Sequence, residues 1–156
     1  MAEPPPDLAA PRRRVQSVLF MCNYNAVRSP AAEAIARHYF GRSIYVQSAG
    51  VRPGEPVDPF MVAALDEIGI DAARHRTRTI EELEDWEGLN FDLIITLAPE
   101  AHHRAIALTH MLAAEVEYWP TPDPTILREA SREQRMEAYR EVRDGLTEKI
   151  KARLKS

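Results

Sequence analysis

The strongest constraint on the fold is the alternation of short apolar runs with amphipathic stretches along the chain. Apolar runs predict buried strands at 15–21 and 91–97 and short strands at 44–47 and 116–119. The stretches between and after them predict helices at 30–40, 60–69, 80–86, 99–113 and 131–154. Strand–helix repeats of this length favour an α/β fold, with a central parallel sheet of about four strands and helices on both faces.

Local signals mark several helix boundaries. Ser29-Pro30 and Asp58-Pro59 each join a good N-cap residue to a proline that suits the first helical turn. The last helix has an apolar face, since its apolar residues are spaced by three and four: Met136, Tyr139, Val142, Leu146 and Ile150. These positions are therefore expected to face the core.

The chain length of 156 residues fits one domain of ordinary size, predicted here to span 15–156. Residues 1–14 hold four prolines and an arginine triplet and lack the apolar stretch of a signal peptide, so they predict a disordered segment. A net charge of −4 argues against a broad nucleic-acid surface. No apolar run approaches the roughly 20 residues that span a bilayer, and a cytoplasmic location is expected.

The chain has one cysteine, Cys22, directly after the first predicted strand. It therefore cannot form an internal disulfide or a cysteine-rich zinc site. Open α/β sheets place their sites at the carboxyl ends of strands, which is where Cys22 is expected to lie. His102 and His103 are adjacent on a helix and do not share a face, and no metal site is predicted.

Cys22 and Arg28 are separated by five residues that lead into a helix. A loop of this length can turn its backbone N–H groups inward as an anion-binding nest, and the helix N-terminus adds further N–H groups. The predicted phosphate-binding residues are Asn23, Tyr24, Asn25, Ala26, Val27 and Arg28. A thiolate under a phosphate in this positive cradle is suited to in-line attack on phosphorus, with Ser29 bonded to the sulfur. Equally, a lone cysteine after a strand often serves as an apolar filler.

The segment from Cys22 to Pro30, the triplet Ser48-Ala49-Gly50 and the late pair Asp123-Pro124 resemble one family, the low-molecular-weight protein tyrosine phosphatases and their arsenate reductase relatives. The similarity runs in order from about Val15 to Leu154. It implies a three-layer, flavodoxin-like fold.

The resemblance assigns a role to each matching residue. It makes Cys22 the nucleophile, Arg28 the phosphate-binding arginine and Ser29 the residue that bonds the thiolate. It makes Asn25 the residue that ties the loop together and His75 the support of that asparagine.

Asp123 matches the general acid of the family. A phenolate leaving group has a parent pKa near 10, so its protonation lowers the barrier. The same carboxylate can then activate water against the phosphocysteine.

Three departures from the family pattern stand out. Tyr24 replaces the loop glycine, and it would be strained if that position needed a positive φ. Val27 replaces a second loop cysteine, and Thr125-Ile126 replaces a tyrosine pair after Asp-Pro. Tyr24 and Trp119 are the predicted pocket walls.

Three functions are compatible with these residues. The first is a phosphotyrosine, or aryl phosphate, phosphatase that works through a phosphocysteine. The second is an arsenate reductase that uses an external thiol, because the chain has no second cysteine. The third is a catalytically weak or inactive anion-binding module. The expected substrate is a phosphorylated protein or a small aryl phosphate, with inorganic phosphate or sulfate as inhibitor and no cofactor.

Overall fold

Four parallel strands form one sheet in the computed structural model, which describes residues 14–54 and 56–155. The strands are β1 (Ser17–Cys22), β2 (Tyr45–Gly50), β3 (Leu93–Thr96) and β4 (Glu115–Tyr118). Their order in the sheet is β2-β1-β3-β4, and every neighbouring pair is parallel. The predicted parallel sheet is confirmed. The predicted disorder of 1–14 lies outside the described residues, except for Arg14.

Five α-helices cover the two faces of this sheet within the described ranges. They are α1 (Arg28–Phe40), α2 (Pro59–Asp66), α3 (Ile80–Glu87), α4 (Pro99–Leu108) and α5 (Arg132–Leu154). Helices α1, α2 and α5 pack together over one face, and α3 and α4 cover the other. The result is the expected three-layer, flavodoxin-like α/β fold. None of the helices in the described ranges has the length and apolarity needed to cross a membrane.

The register of the sheet brings two loops together at its carboxyl edge. Cys22, the last residue of β1, is paired with Gly50, the last residue of β2. Met21 is paired with Ala49 on one side and with Thr96 on the other. The segments that follow these strands therefore begin side by side, which is where parallel sheets place their sites.

The boundary signals were right for α2 and wrong for α1. Asp58 caps α2, because its Oδ1 accepts a hydrogen bond from the N–H of Phe60 at 2.8 Å. Helix α1 begins at Arg28, and Ser29 lies inside its first turn instead of capping it. The Ser29 hydroxyl is 2.9 Å from the sulfur of Cys22, so a tertiary contact has replaced the local cap.

Helix α5 buries the face that its spacing predicted. Its five apolar residues are all buried, and Tyr139 lies against the ring of Phe60 at a centroid distance of 5.4 Å. The Tyr139 hydroxyl donates to Oδ2 of Asp58 at 2.8 Å. The last helix thereby holds the capping residue of α2, which lines the cavity described below.

Leu65, which is fully buried between α2 and the core, tests the energetics of this packing. We expect Leu65→Ala to lower the free energy of unfolding by about 2–5 kcal/mol, because it removes buried methyl groups and leaves a cavity. Ile68, which follows α2 in the sequence, is 37% exposed and provides the matched control. Urea unfolding of Ile68→Ala should show a loss of less than about 1 kcal/mol. Equal losses in the two variants would contradict this account of the core.

Candidate active site

A cavity of about 660 Å³ opens at the carboxyl edge of the sheet. It lies between the loop after β1, the loop after β2 and the segment that leads into α5. The predicted site residues that line it are Cys22, Tyr24, Ala26, Val27, Arg28 and Asp123. Loop residues far apart in sequence thus share one cavity. The other described residues of the lining are Pro53, Gly54, Pro56, Asp58, Pro59, Thr125 and Arg128.

The loop from 23 to 27 is held against the end of β2. The carbonyl of Asn23 accepts from the N–H of Arg52 at 2.8 Å, and that of Ala26 accepts from Asp58 at 2.8 Å. A Cβ on Gly50 would lie 2.7 Å from the carbonyl carbon of Tyr24, closer than real contacts allow. Gly50 is therefore required for the loop to approach the sheet, a role that its place in Ser48-Ala49-Gly50 did not reveal.

The backbone N–H groups of residues 23–28 are free of protein acceptors. No hydrogen bond from any of them to another group is present within residues 14–54 and 56–155. Backbone N–H groups in a folded protein are normally paired, so a run of six free donors is unusual. Together with the N-terminus of α1, these donors can bind an oxyanion.

Asn25 gives this loop its shape. It has a φ of 56°, the one positive φ of a non-glycine residue in the described ranges, and it is fully buried. Its Nδ2 donates to the hydroxyls of Ser29 (2.9 Å) and Ser48 (2.8 Å). Its Oδ1 lies 3.0 Å from Nε2 of His75 and accepts from the N–H of Arg78 at 3.0 Å. The structure thus brings Asn25 and His75 together, as the sequence resemblance implied.

A buried carboxylate supports this arrangement from behind. Glu33 Oε1 accepts from the Ser48 hydroxyl at 2.7 Å, and Oε2 is paired with Arg37 at 3.1 Å. Arg78 and His75 approach the same carboxylate at 3.3 and 3.7 Å. Burial raises the pKa of Glu33, but its interactions with His75, Ser48 and Arg37 outweigh burial and leave the pKa below 4.5.

Sequence reasoning missed the roles of Glu33 and Arg78. A signal for Glu33 was present, because it follows Ala31 and Ala32 and precedes Ile35 and Ala36 on a helix whose face is otherwise apolar. A charged residue on a buried helical face is rare unless it is paired. Arg78 gave no such signal, because it lies in a polar segment without periodicity.

Two donors are directed at the sulfur of Cys22, which is 3% exposed. The Ser29 hydroxyl lies 2.9 Å from Sγ, and the Ser29 N–H donates to it at 3.4 Å. Because the Ser29 oxygen already accepts from Asn25, its own proton is directed to the sulfur. Two hydrogen-bond donors from Ser29 therefore converge on the sulfur.

Arg28 and Asp123 stand on the side of the cavity next to the segment before α5. Nη1 of Arg28 donates to the carbonyl of Thr121 at 3.0 Å, which ties the arginine to the segment that carries Asp123. Oδ1 of Asp123 accepts from the N–H and the hydroxyl of Thr125 at 2.9 and 2.7 Å. Oδ2 of Asp123 has no partner in the described ranges and is available to a substrate.

The two predicted pocket walls have different positions. Tyr24 lines the cavity and is 49% exposed. Its φ is not positive, so the strain considered for this residue is absent. Trp119 is not among the lining residues, because its ring packs on Phe20 at a centroid distance of 6.4 Å. Its indole N–H donates to Oε1 of Glu117 at 3.2 Å.

Residues 17–156 match the family model for the low molecular weight phosphotyrosine protein phosphatases. The chain belongs to this family. An arsenate reductase of Halalkalibacterium halodurans is 33% identical over 135 residues, which cover 86% of this chain and 91% of that protein. The family thus includes phosphatases and arsenate reductases. Membership in it supports the prediction that this protein is an enzyme.

The similar solved structures also include both a phosphatase and an arsenate reductase. The low molecular weight protein tyrosine phosphatase from T. tengcongensis is 27% identical, with a TM-score of 0.68, and covers 86% of this chain and 95% of its own. An arsenate reductase in the phosphate binding state is 25% identical, with a TM-score of 0.66, and covers 89% and 96%. Fold similarity alone therefore does not separate the two activities.

Glu33→Gln tests the support behind the loop. The substitution keeps the shape but removes the charge that Arg37, Arg78 and His75 face, so we expect a loss of about 1–3 kcal/mol in unfolding free energy at neutral pH. Because the folded-state pKa of Glu33 is depressed, this stabilisation is present above the unfolded-state pKa of about 4.3 and is lost as the pH falls through the folded-state value. The difference in unfolding free energy between wild type and variant, measured by urea unfolding, should therefore become smaller at acid pH.

The matched control is Glu81→Gln, since the Glu81 side chain is 51% exposed and pairs with Arg104 at 2.8 Å. An exposed pair of this kind contributes less than about 1 kcal/mol. A difference for Glu33→Gln that is equally small, or that does not change with pH, would show that the carboxylate does not support the loop.

Proposed function

We propose that the protein hydrolyses aryl phosphates, phosphotyrosine in proteins above all, through a phosphocysteine intermediate. One observation carries this proposal: a buried sulfur that accepts from Ser29 is followed by six backbone N–H groups without an acceptor among the described residues, in a cavity that Arg28 and Asp123 also line. A dianionic phosphate fits donors of this number and sign.

In the first step, the Cys22 thiolate attacks phosphorus in line with the departing oxygen. The S–P bond forms as the P–O bond to the phenol breaks, and Asp123 gives its proton to that oxygen. The N–H groups of the loop and the guanidinium of Arg28 stabilise the charge on the equatorial oxygens. The phenol leaves neutral, and Asp123 is left as a carboxylate.

In the second step, water attacks the phosphocysteine. Asp123 takes a proton from the water as the new P–O bond forms and the S–P bond breaks. Ser29 donates to the sulfur throughout, which stabilises the thiolate as it leaves. Inorganic phosphate is the product, and phosphate or sulfate in the same cradle is expected to inhibit. The cycle uses only groups of this chain and water.

Asp123 provides the test of this mechanism. We expect wild-type protein to hydrolyse phosphotyrosine and p-nitrophenyl phosphate between about pH 5 and 7, and Cys22→Ser to lose activity by on the order of a thousandfold or more. The kcat/KM of Asp123→Asn should fall by about 10²–10⁴-fold on phosphotyrosine and much less on p-nitrophenyl phosphate, whose phenolate leaves without help. This quantity reports the steps up to phosphorylation of Cys22, whereas the later hydrolysis, in which Asp123 activates water, is common to both substrates. Steady-state kinetics on the two substrates measures the difference.

Asp144→Asn is the matched control, because Asp144 is exposed on α5 and does not line the cavity. It should retain wild-type rates. Tight binding of phosphate with no turnover and no phosphorylated Cys22 by mass spectrometry would reject the phosphatase and leave an anion-binding module. Equal losses of kcat/KM for Asp123→Asn on both substrates would reject Asp123 as the acid.

Arsenate reduction is the second candidate, and the arsenate reductases among the relatives favour it. Arsenate has the shape of phosphate, so Cys22 can attack arsenic and displace hydroxide to form a sulfur–arsenic(V) bond. With no second cysteine, a small external thiol must then attack Cys22 sulfur. That step forms a mixed disulfide and releases arsenite. A second external thiol restores Cys22, and two thiols are oxidised as As(V) becomes As(III).

The two activities are distinguished by product. If reduction is the function, arsenite should form in the presence of a small thiol such as glutathione or mycothiol, and Cys22→Ser should abolish it. Arsenite at the rate of a thiol-only control would reject this candidate. Aryl phosphate turnover in the same preparation then supports the phosphatase.

A further inference from the structure

Tyr24 is the one aromatic side chain among the described residues that line the cavity. The remaining apolar part of the lining comes from small residues and prolines: Ala26, Val27, Pro53, Pro56 and Pro59. The segment after Asp123 offers no aromatic ring, because residues 125 and 126 are Thr and Ile. Ile126 is 75% exposed and does not line the cavity. Tyr24 is therefore the one aromatic ring among the described lining residues that can stack on a flat substrate group.

The position of Tyr24 is fixed by close contact with the loop after β2. A Cβ on Gly54 would lie 2.7 Å from the Cβ of Tyr24 and 2.7 Å from its carbonyl oxygen. The backbone of residue 54 can approach this closely because it has no side chain. Arg52 in the same loop is held by Glu100 through paired hydrogen bonds, with Nε to Oε2 at 2.9 Å. The backbone and Cβ of Tyr24 are thus held close to the loop after β2, and its backbone is not strained.

We propose that Tyr24, positioned by Gly54, is the residue that selects substrates whose phosphate is carried by an aromatic ring. The inference takes its substrate class from the proposed function. It adds the residue that contacts the aromatic leaving group. An aromatic pair contributes roughly two- to tenfold in binding beyond the area that it buries. Alkyl phosphates share the cradle but gain nothing from the ring.

Gly50 and Gly54 both lie close to the loop that carries Tyr24. A Cβ on Gly50 would meet loop backbone, 2.8 Å from the nitrogen of Asn25, so Gly50→Ala should weaken the binding of every phosphate. A Cβ on Gly54 would meet the Cβ, the carbonyl oxygen and the Cα of Tyr24, so the wall itself is best tested by substitution of Tyr24.

The test compares the affinities of two phosphonates that cannot be hydrolysed. We expect wild type to bind benzylphosphonate at least about tenfold more tightly than methylphosphonate in titration calorimetry. Tyr24→Leu should reduce this ratio by about three- to tenfold, whereas Tyr24→Phe keeps it within twofold. Gly50→Ala should weaken both ligands and leave no such selective loss.

Tyr39→Leu is the control, because Tyr39 is 41% exposed on α1 and does not line the cavity. It should keep the wild-type ratio. A wild-type ratio in Tyr24→Leu would overturn the inference, whatever the catalytic activity. Absence of aryl phosphate turnover together with the expected binding ratios would reject the proposed function and leave the aryl-selective wall standing.

Discussion

The left-handed conformation of Asn25 is the constraint on which the site depends. A non-glycine residue with a φ of 56° persists only where its surroundings hold it there. Asn is among the few residues that adopt this region readily, because its short amide can bond to nearby groups. Here the amide uses both ends, donating to Ser29 and Ser48 and accepting from Arg78. The turn that this creates leaves six N–H groups of the loop facing no protein acceptor.

The same amide links the reacting sulfur to a buried charge. From Cys22 the bonds run through Ser29 to Asn25, and from Asn25 through Ser48 to Glu33. Each oxygen along this chain accepts from one side and directs its proton to the other. The donor at the sulfur is therefore oriented by the side chains of Asn25, Ser48 and Glu33, none of which is among the described lining residues of the cavity. Buried polar networks of this kind stabilise a site when every member has its partner, and here they do.

The fold could be predicted from sequence more fully than the site. Runs of apolar residues predicted the positions of the four strands, and Asp58 caps the helix that it was expected to cap. Both signals depend on residues that are neighbours in sequence. Ser29 shows where such reasoning fails, because the same hydroxyl was expected to cap α1 and instead bonds to Cys22. Glu33 and Arg78 were missed because pairing across distant segments leaves little trace in spacing. Trp119 was placed at the cavity by its nearness to Asp123 in sequence, but it packs on Phe20.

The separation of Asn25 from its partners has a consequence for the order of folding. Asn25 lies 23 residues from Ser48, 50 from His75 and 53 from Arg78. Contacts between such distant segments form only after the loops between them close, at an entropic cost. Helix α1 and the β1–β2 pair can assemble before that. The left-handed conformation of Asn25 gains its full set of hydrogen bonds only when the segment that carries His75 and Arg78 docks. We therefore expect the phosphate cradle to be among the last features to form in a folding chain.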